Sequence, residues 1–240
     1  LSRVHSEIDM VMTPQGNPVA MVHSNNCSSD IDAWVSILLE AAQAMGCRVT
    51  RDEAFASLLP LAMEGDADAG GLLSYGYLSG EHITGFSEGR PLFVRKPDSN
   101  FTLANFIRIH LFSALGALRT GFNIRTEEED VKVEEIRGHG GFFKTGDVGK
   151  KIMATALNTP VSTLETAGEG GAWGKALLAA FMVRENRGTD LPGFLNQVFA
   201  HSMGEALPPD PTDTEGFNTF FRRYTEGLEI ERAAVEKLRE

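Results

Sequence analysis

The residues best suited to chemistry in this chain lie between Ile136 and Phe181. The run reads Ile-Arg-Gly-His-Gly-Gly-Phe-Phe-Lys-Thr-Gly-Asp, an apolar-periodic stretch, Pro160-Val-Ser-Thr, and then Gly168-Glu-Gly-Gly-Ala-Trp-Gly-Lys-Ala-Leu-Leu-Ala-Ala. This order predicts a strand, a glycine turn, a helix, a short strand and a second helix opening on small residues. Gly138, Gly140 and Gly141 carry no β-carbons, so a ligand can approach the turn's backbone closely. A helix starting near Thr145 to Asp147 would aim its unpaired amides and positive dipole end back at that turn. The adenosine end of a nucleotide is one ligand such a turn could hold. Glycines between a strand and a helix are also ordinary turn chemistry, and on the glycines alone that reading is the stronger.

Two nucleotide motifs fail. Gly141 and Gly146 have the spacing of a P-loop, but Asp147 stands where the lysine must be. Gly168-Glu-Gly-Gly-Ala-Trp lacks the third glycine of a dinucleotide fingerprint, and no strand leads directly into it. A nicotinamide-dependent enzyme is therefore the weakest of the readings. Asp66 and Asp68 are two carboxylates without further ligands, which reads as a solvated loop rather than a metal site. His110, among apolar helix neighbours, reads as a structural histidine. His5 and His201 have no supporting partner in sequence, and Cys27 has no nearby base to make it a nucleophile.

The elements that must position the glycine turn follow from patterning. At 240 residues the chain can bury a sizeable core, and 42% apolar with 23% charged residues is ordinary for a globular protein. A net charge of −11 argues against nucleic acid or an anionic membrane as the main partner. No run is long enough to predict a transmembrane helix. Cys27 and Cys47 fit neither a metal nor a disulfide framework, which suggests free thiols in a reducing cytoplasm. The chain opens without methionine and passes quickly into β-type alternation, as the interior of a longer protein would.

Residues 8–13 and 17–23 flank Pro14-Gln-Gly-Asn and predict a hairpin. An amphipathic helix with Ile31, Trp34, Val35, Leu38 and Leu39 follows, capped by Ser28, Ser29 or Asp30 and ended by Gly46. A second helix is expected over 52–63, with Pro60 in its latter half. Residues 64–100 carry seven glycines and predict short strands at 72–77 and 92–95 within a long ordered loop. A strong helix is expected over 102–120 with Gly121 just past its end, then a solvated acidic connector at 127–130 and a strand over 131–137. Beyond Arg187 come a short helix at 191–201, a linker at 208–211 and one long charged helix over 215–239. Its stripe of Phe217, Phe220, Phe221, Tyr224 and Leu228 reads as packing, with a homodimer interface as the alternative.

The segment from Gly138 to Ala180 resembles the C-terminal half of the FGGY carbohydrate kinases, of the xylulose kinase kind. Thr159-Pro160-Val161 is similar to that family's "rPV" strand, and Gly171 to Ala180 to its "GAAlLAa" helix. Tyr77-Leu-Ser-Gly-Glu-His-Ile looks like its "yLsGErtP" segment, and Trp34 resembles the tryptophan of the helix flanking the nucleotide. The likeness spans roughly residues 8–190. It implies an α/β fold of the actin-like ATPase and ribonuclease H-like type, a mixed sheet flanked by helices. Residues 1–187 would be the nucleotide-binding domain and 188–240 a helical extension.

It further implies ATP and Mg²⁺, a small sugar substrate and an N-terminal domain of the same protein as partner. The nucleotide site would fall on Gly138, His139, Gly140, Gly141, Phe142, Thr145, Asn26, Ser29 and Asp30, with Glu81 and His82 facing the substrate cleft. Thr145 and Asp147 are expected to act chiefly as helix caps. Departures from the family pattern are His139 in place of a glycine, about three extra residues around Phe142–Thr145, and His82 where arginine is usual. The resemblance places the catalytic aspartate upstream of Leu1, so this chain alone is expected to be inactive. A non-catalytic actin-like domain kept for binding or regulation is the rival reading.

Overall fold

A computed structural model describes residues 1–164, 170–184, 188–200 and 204–239. The expected positions Gly168 and His201 lie outside the described residues.

One helix organises the rest. α3 (Leu103–Asn123) is started by Thr102, whose Oγ1 accepts from the Asn105 N–H at 3.2 Å. Every residue from Asn105 to Ala117 is buried, so the helix has no solvated face over that stretch. Around it lie α1 (Ser29–Ala44), α4 (Val148–Leu157), α7 (Pro211–Glu226) and the strand β3 (Leu73–Tyr75). Such a helix must be covered on all sides and must pair its polar groups internally.

Among the described residues the strands are short and occur in three ladders. β1 (Asp9–Met12) and β2 (Pro18–Met21) form the expected antiparallel hairpin, and β3 pairs antiparallel with β4 (Leu92–Val94). β5 (Ile136–Gly138) and β6 (Val161–Thr163) run parallel, joined by α4 as parallel strands require. The strands expected at 72–77 and 92–95 are thus present. The mixed character of the expected sheet is distributed over separate two-stranded ladders, because each strand spans only three or four residues and glycines and 3-10 turns interrupt the runs. The expected strand over 131–137 narrows to Ile136–Gly138; most of its earlier part is exposed.

The second helix ends as Pro60 implied. α2 (Arg51–Leu58) gives way to a 3-10 turn over Leu59–Glu64. A capping box starts α2, with Thr50 and Glu53 each bonding the other's backbone N–H. Gly121 does not end α3. It lies inside the helix, and a β-carbon there would sit 2.3 Å from Val22 Cγ1, so the glycine serves close approach rather than termination. The acidic connector is not simply solvated: Ile124–Glu128 continue as a π turn, and Glu129 accepts from His5 Nε2 at 2.6 Å and from the Ser2 amide.

The long C-terminal helix is two helices. α7 starts at Pro211, with Asp210 accepting from Thr212 and Asp213 amides at 2.9 and 3.0 Å. α8 (Leu228–Lys237) follows after Gly227, whose α-carbon is pressed against Tyr75 and Leu73. Phe217, Phe220 and Tyr224 are fully buried, stacking edge-on or tilted against one another and, for both phenylalanines, Phe112 of α3. The stripe is core packing. The Tyr224 hydroxyl meets that of Tyr77 at 2.6 Å, and burial raises both phenols, Tyr77 to about 12. α5 (Gly170–Val183) and α6 (Leu191–Phe199) lie apart from this core, contacting each other and leaving Met182 and Val183 exposed.

Two outcomes follow. Phe220→Ala should lower the free energy of unfolding by about 3–5 kcal/mol in denaturant titration, the cost of emptying a fully buried aromatic site. The Glu129 carboxyl is held at about 2, chiefly by the His5 hydrogen bond and then by the Ser2 amide. A depressed acid contributes stability that is complete above its unfolded value near 4.5 and disappears as pH falls through the folded one. The protection of the amides of residues 1–8, taken against the intrinsic exchange rate at each pH, should therefore fall between about pH 4.5 and 2 in the wild type. In Glu129→Gln that protection should be low and nearly independent of pH across the range.

Candidate nucleotide site

The glycine turn opens where β5 ends, at the carboxyl end of a parallel strand, the usual place for ligands in α/β folds. Gly140 has φ of +97°, a conformation that favours glycine, and starts a 3-10 turn over Gly141–Phe143. Gly149, in the first turn of α4, lies so close to the turn that a β-carbon would be 2.3 Å from the Phe142 carbonyl oxygen. A β-carbon at Gly141 would meet nothing within 4 Å. The turn is thus clamped on one side and open on the other.

The open side faces two cavities that share Phe55, Gly141, Thr145 and Val148. The inner one, about 200 Å³, runs between the turn and α1–α2 and is walled by Ser28, Ile31, Asp32, Leu59, Leu111 and Phe142 as well. The outer one, about 830 Å³, has an apolar floor of Pro60 and Met63 beside Phe55, and a rim carrying Asp52, Lys144, Asp147 and Lys151. Apolar walls with two lysines among the mixed charges of the rim can take a flat heterocycle attached to phosphate.

The helix ends strengthen that description. α2, α3, α6 and α7 are each capped by a side chain: Thr50, Thr102, Asp190 and Asp210. α1, α4 and α8 are not, the last having Gly227 at its N-cap. Ser28 and Asp147 hold the N-cap positions of α1 and α4, but neither side chain bonds a helix amide. Both residues line these cavities. Asp147 instead pairs with Lys150 Nζ at 2.8 Å, which holds its carboxyl below the usual range. The capping expected of Thr145, Asp147 and the Ser28–Asp30 cluster therefore does not occur, and two helix amino ends lack a side-chain cap where the cavities meet the backbone.

The predicted residues separate into groups. Gly141, Phe142 and Thr145 line the cavities. Gly138 lies behind them, its α-carbon covered by the Phe143 ring. His139 faces away, into a different cavity of about 820 Å³ bordered by Trp173 and Gly174 of α5 and by α6. Ser29 is exposed at the start of α1 and lines neither site cavity. Asp30 turns inward, its Oδ2 3.0 Å from His110 Nδ1, which also lies 3.2 Å from Ser74 Oγ. Asn26 is buried and fastens Ser79 and Gly80. Trp34 packs edge-on to Phe106 at 5.0 Å and lines neither cavity.

Of the cleft candidates, Glu81 is fully buried and His82 is exposed, its Nε2 3.0 Å from the Ser6 carbonyl oxygen. Asp66 is structural, bonded to Asn100 and Asn105, and Asp68 pairs with Arg223 at 3.2 Å. Among the described residues no group of three or more His, Cys, Asp or Glu could hold a metal ion. No helix among them is long and apolar enough to cross a membrane.

Sequence reasoning missed Asp32, Pro60, Met63, Lys144 and Lys151. The one signal available was Pro60, because the helix break it forces brings Leu59 and Met63 round toward the turn.

The model of the FGGY family of carbohydrate kinases, C-terminal domain, matches residues 2–183. A xylulose kinase from Rhodospirillum rubrum superposes with a TM-score of 0.66 at 21% identity, covering 96% of this chain and 43% of that one. A ligand-bound xylulose kinase from Lactobacillus acidophilus gives 0.70 at 18% identity, again covering 96% and 43%. A Plasmodium falciparum glycerol kinase with ADP gives 0.59 at 15%, covering 83% and 36%. The chain thus spans less than half the length of these structures, and identities this low establish the fold alone. No curated protein sequence matches. With three quarters of its length inside the family match and an actin-like fold around the glycine turn, the chain belongs to the FGGY family of carbohydrate kinases, as its C-terminal domain.

Proposed function

We propose that the protein is an ATP-dependent kinase of a ketose, xylulose or a related pentulose, and that this chain supplies its nucleotide-binding half. The observation that carries the reading is the meeting of two helix ends without side-chain caps, α1 and α4, at one apolar cavity beside Gly141. The base would lie between Phe142 and the Phe55–Leu59 wall, and the phosphates would run toward the helix ends. Lys144 and Lys151 would add positive charge at the rim. Similarity to xylulose kinases over nearly the whole chain supports a pentulose over glycerol or gluconate. Residues 1–187 form the nucleotide domain in this reading, and 188–240 its helical extension.

Bound ATP supplies the phosphoryl group, and Mg²⁺ offsets its charge. The sugar hydroxyl attacks the γ-phosphorus while its proton passes to an aspartate, the bond to the β-phosphate oxygen breaks, and ADP leaves. In this reading that aspartate lies upstream of Leu1 and most of the sugar contacts belong to the N-terminal domain, so the isolated chain transfers nothing. Most of the rate comes from positioning and electrostatics. We place the protein in the cytoplasm, where its two exposed thiols, Cys27 and Cys47, stay reduced. The rival, non-catalytic reading rested on the departures at His139 and in the turn. His139 lies away from the cavity, and the lengthened turn helps form it, so neither departure removes the site.

Full-length protein given ATP, Mg²⁺ and a panel of ketoses and polyols should release ADP in response to a pentulose, with this chain alone silent. No stimulation by any sugar would overturn the kinase reading. Gly141→Asp should leave the melting temperature within a degree or two, since its side chain meets open space, yet abolish nucleotide binding by placing a carboxylate in the cavity the nucleotide would fill. Gly149→Ala should behave oppositely, costing about 1–3 kcal/mol of stability through its clash with backbone.

A further inference from the structure

The segment joining β2 to α1 is held from behind by one buried carboxylate. Oε2 of Glu81 accepts from the Asn25 amide at 2.9 Å, and from Asn26 Nδ2 and Ser24 Oγ at 3.4 Å. Asn25 and Asn26 also donate to the Gly80 carbonyl, at 2.9 and 3.2 Å. Three consecutive residues are therefore fastened to Gly80 and Glu81. Two residues further on is Ser28, which walls the inner cavity and leaves the α1 amides without a side-chain cap. The clamp from Glu81 is thus a major restraint on where the amino end of α1 sits.

That clamp is incomplete as drawn by protein atoms. Glu81 Oε1 is buried and has no hydrogen-bond partner. Beside it is a cavity of about 10 Å³ lined by Glu81, Asp30, Ser24, Asn26, Cys27 and His110 among others, with no lysine or arginine. This is room for one water molecule, and the walls are polar enough to hold it. A water offers two donors, and two carboxylate side chains line the space. A buried carboxylate oxygen left without a donor is costly, so an occupied cavity is the stable arrangement.

We propose that this cavity holds one ordered water on Glu81 Oε1, and that Glu81 is a positioning residue that sets the amino end of α1 against the nucleotide. Glu81 touches no substrate; it acts through residues 24–28. The functional half of this inference rests on the nucleotide reading of the cavity beside Gly141.

The test uses full-length protein carrying Glu81→Ala or Glu81→Gln. Glu81→Ala should raise KM for ATP about tenfold, the loss of a charge-assisted hydrogen bond, and leave KM for the sugar within about twofold. Glu81→Gln keeps an oxygen for the Asn25 amide and should restore the ATP value to within about twofold of wild type. A parallel rise in both KM values, or an unchanged one for ATP, would overturn the positioning role. A second readout does not need activity. Although Cys27 is exposed as a residue, it lines the small cavity, and the desolvation there together with the Glu81 charge pushes the thiol up. In Glu81→Ala, peptide-resolved labelling should find Cys27 alkylated faster while Cys47 is unchanged; an unaltered Cys27 rate overturns the clamp. A high-resolution crystal structure should show water at Oε1, and an empty cavity or a coordinated cation there would refute that half. If wild type binds no ATP, the kinase reading fails by itself, while the thiol rates and the water still decide the clamp.

Discussion

A helix buried on every side cannot leave its polar side chains unpaired, and α3 turns that requirement into the framework of the domain. Asn105 accepts from the Asp66 amide at 2.7 Å and donates to the Asn100 carbonyl at 2.9 Å. Arg108, 1% exposed, donates to the Ala62 carbonyl at 3.1 Å and pairs with Asp213 in the first turn of α7. His110 meets Asp30 of α1 and Ser74 of β3, and Ser113 donates to the Ser74 carbonyl at 2.8 Å. Together these contacts reach the 62–66 segment, Asn100, α1, β3 and α7. The apolar surface of α3 supplies the bulk of the stabilisation, and these few polar contacts fix where each neighbour sits along it.

The candidate site inherits its geometry from that arrangement. α1 is placed by the Asp30–His110 contact and by Glu81. α4 lies against α3 and α7, and Gly149 holds the glycine turn to the start of α4. The two helix ends converge on one cavity because both helices are packed on the same central element. A site built this way puts backbone amides and dipoles in fixed positions before any ligand arrives, and fixed dipoles are what would make the proposed nucleotide site effective. The same logic explains why Asp30 is spent on structure: its carboxylate orients the helix whose amides lie near the cavity.

Legibility varied with range. The hairpin, the breaks at Pro60 and Gly46, the strands at 73–75 and 92–94, and the packing role of Phe217, Phe220 and Tyr224 were all readable, because local sequence decides them. Gly121 misled because a glycine near a helix end looks the same whether it terminates the helix or admits Val22. The single helix expected over 215–239 failed at Gly227, where contact with Tyr75, about 150 positions away, breaks the pattern. Ser28, Thr145 and Asp147 have the right types and places for caps, yet none of them caps a helix.

The sequence by itself determined the order of most elements, the strong helix over 102–120, and the glycine turn that resembles the family's, since periodicity and turn chemistry act over a few residues. Tertiary structure alone decided which of the candidate residues share a cavity. It sent His139 to one side of the turn and Gly141 to the other, buried Glu81, and turned Asp30 inward. Side-chain direction depends on how the helices pack about α3, and that packing is set by contacts between residues far apart in the chain.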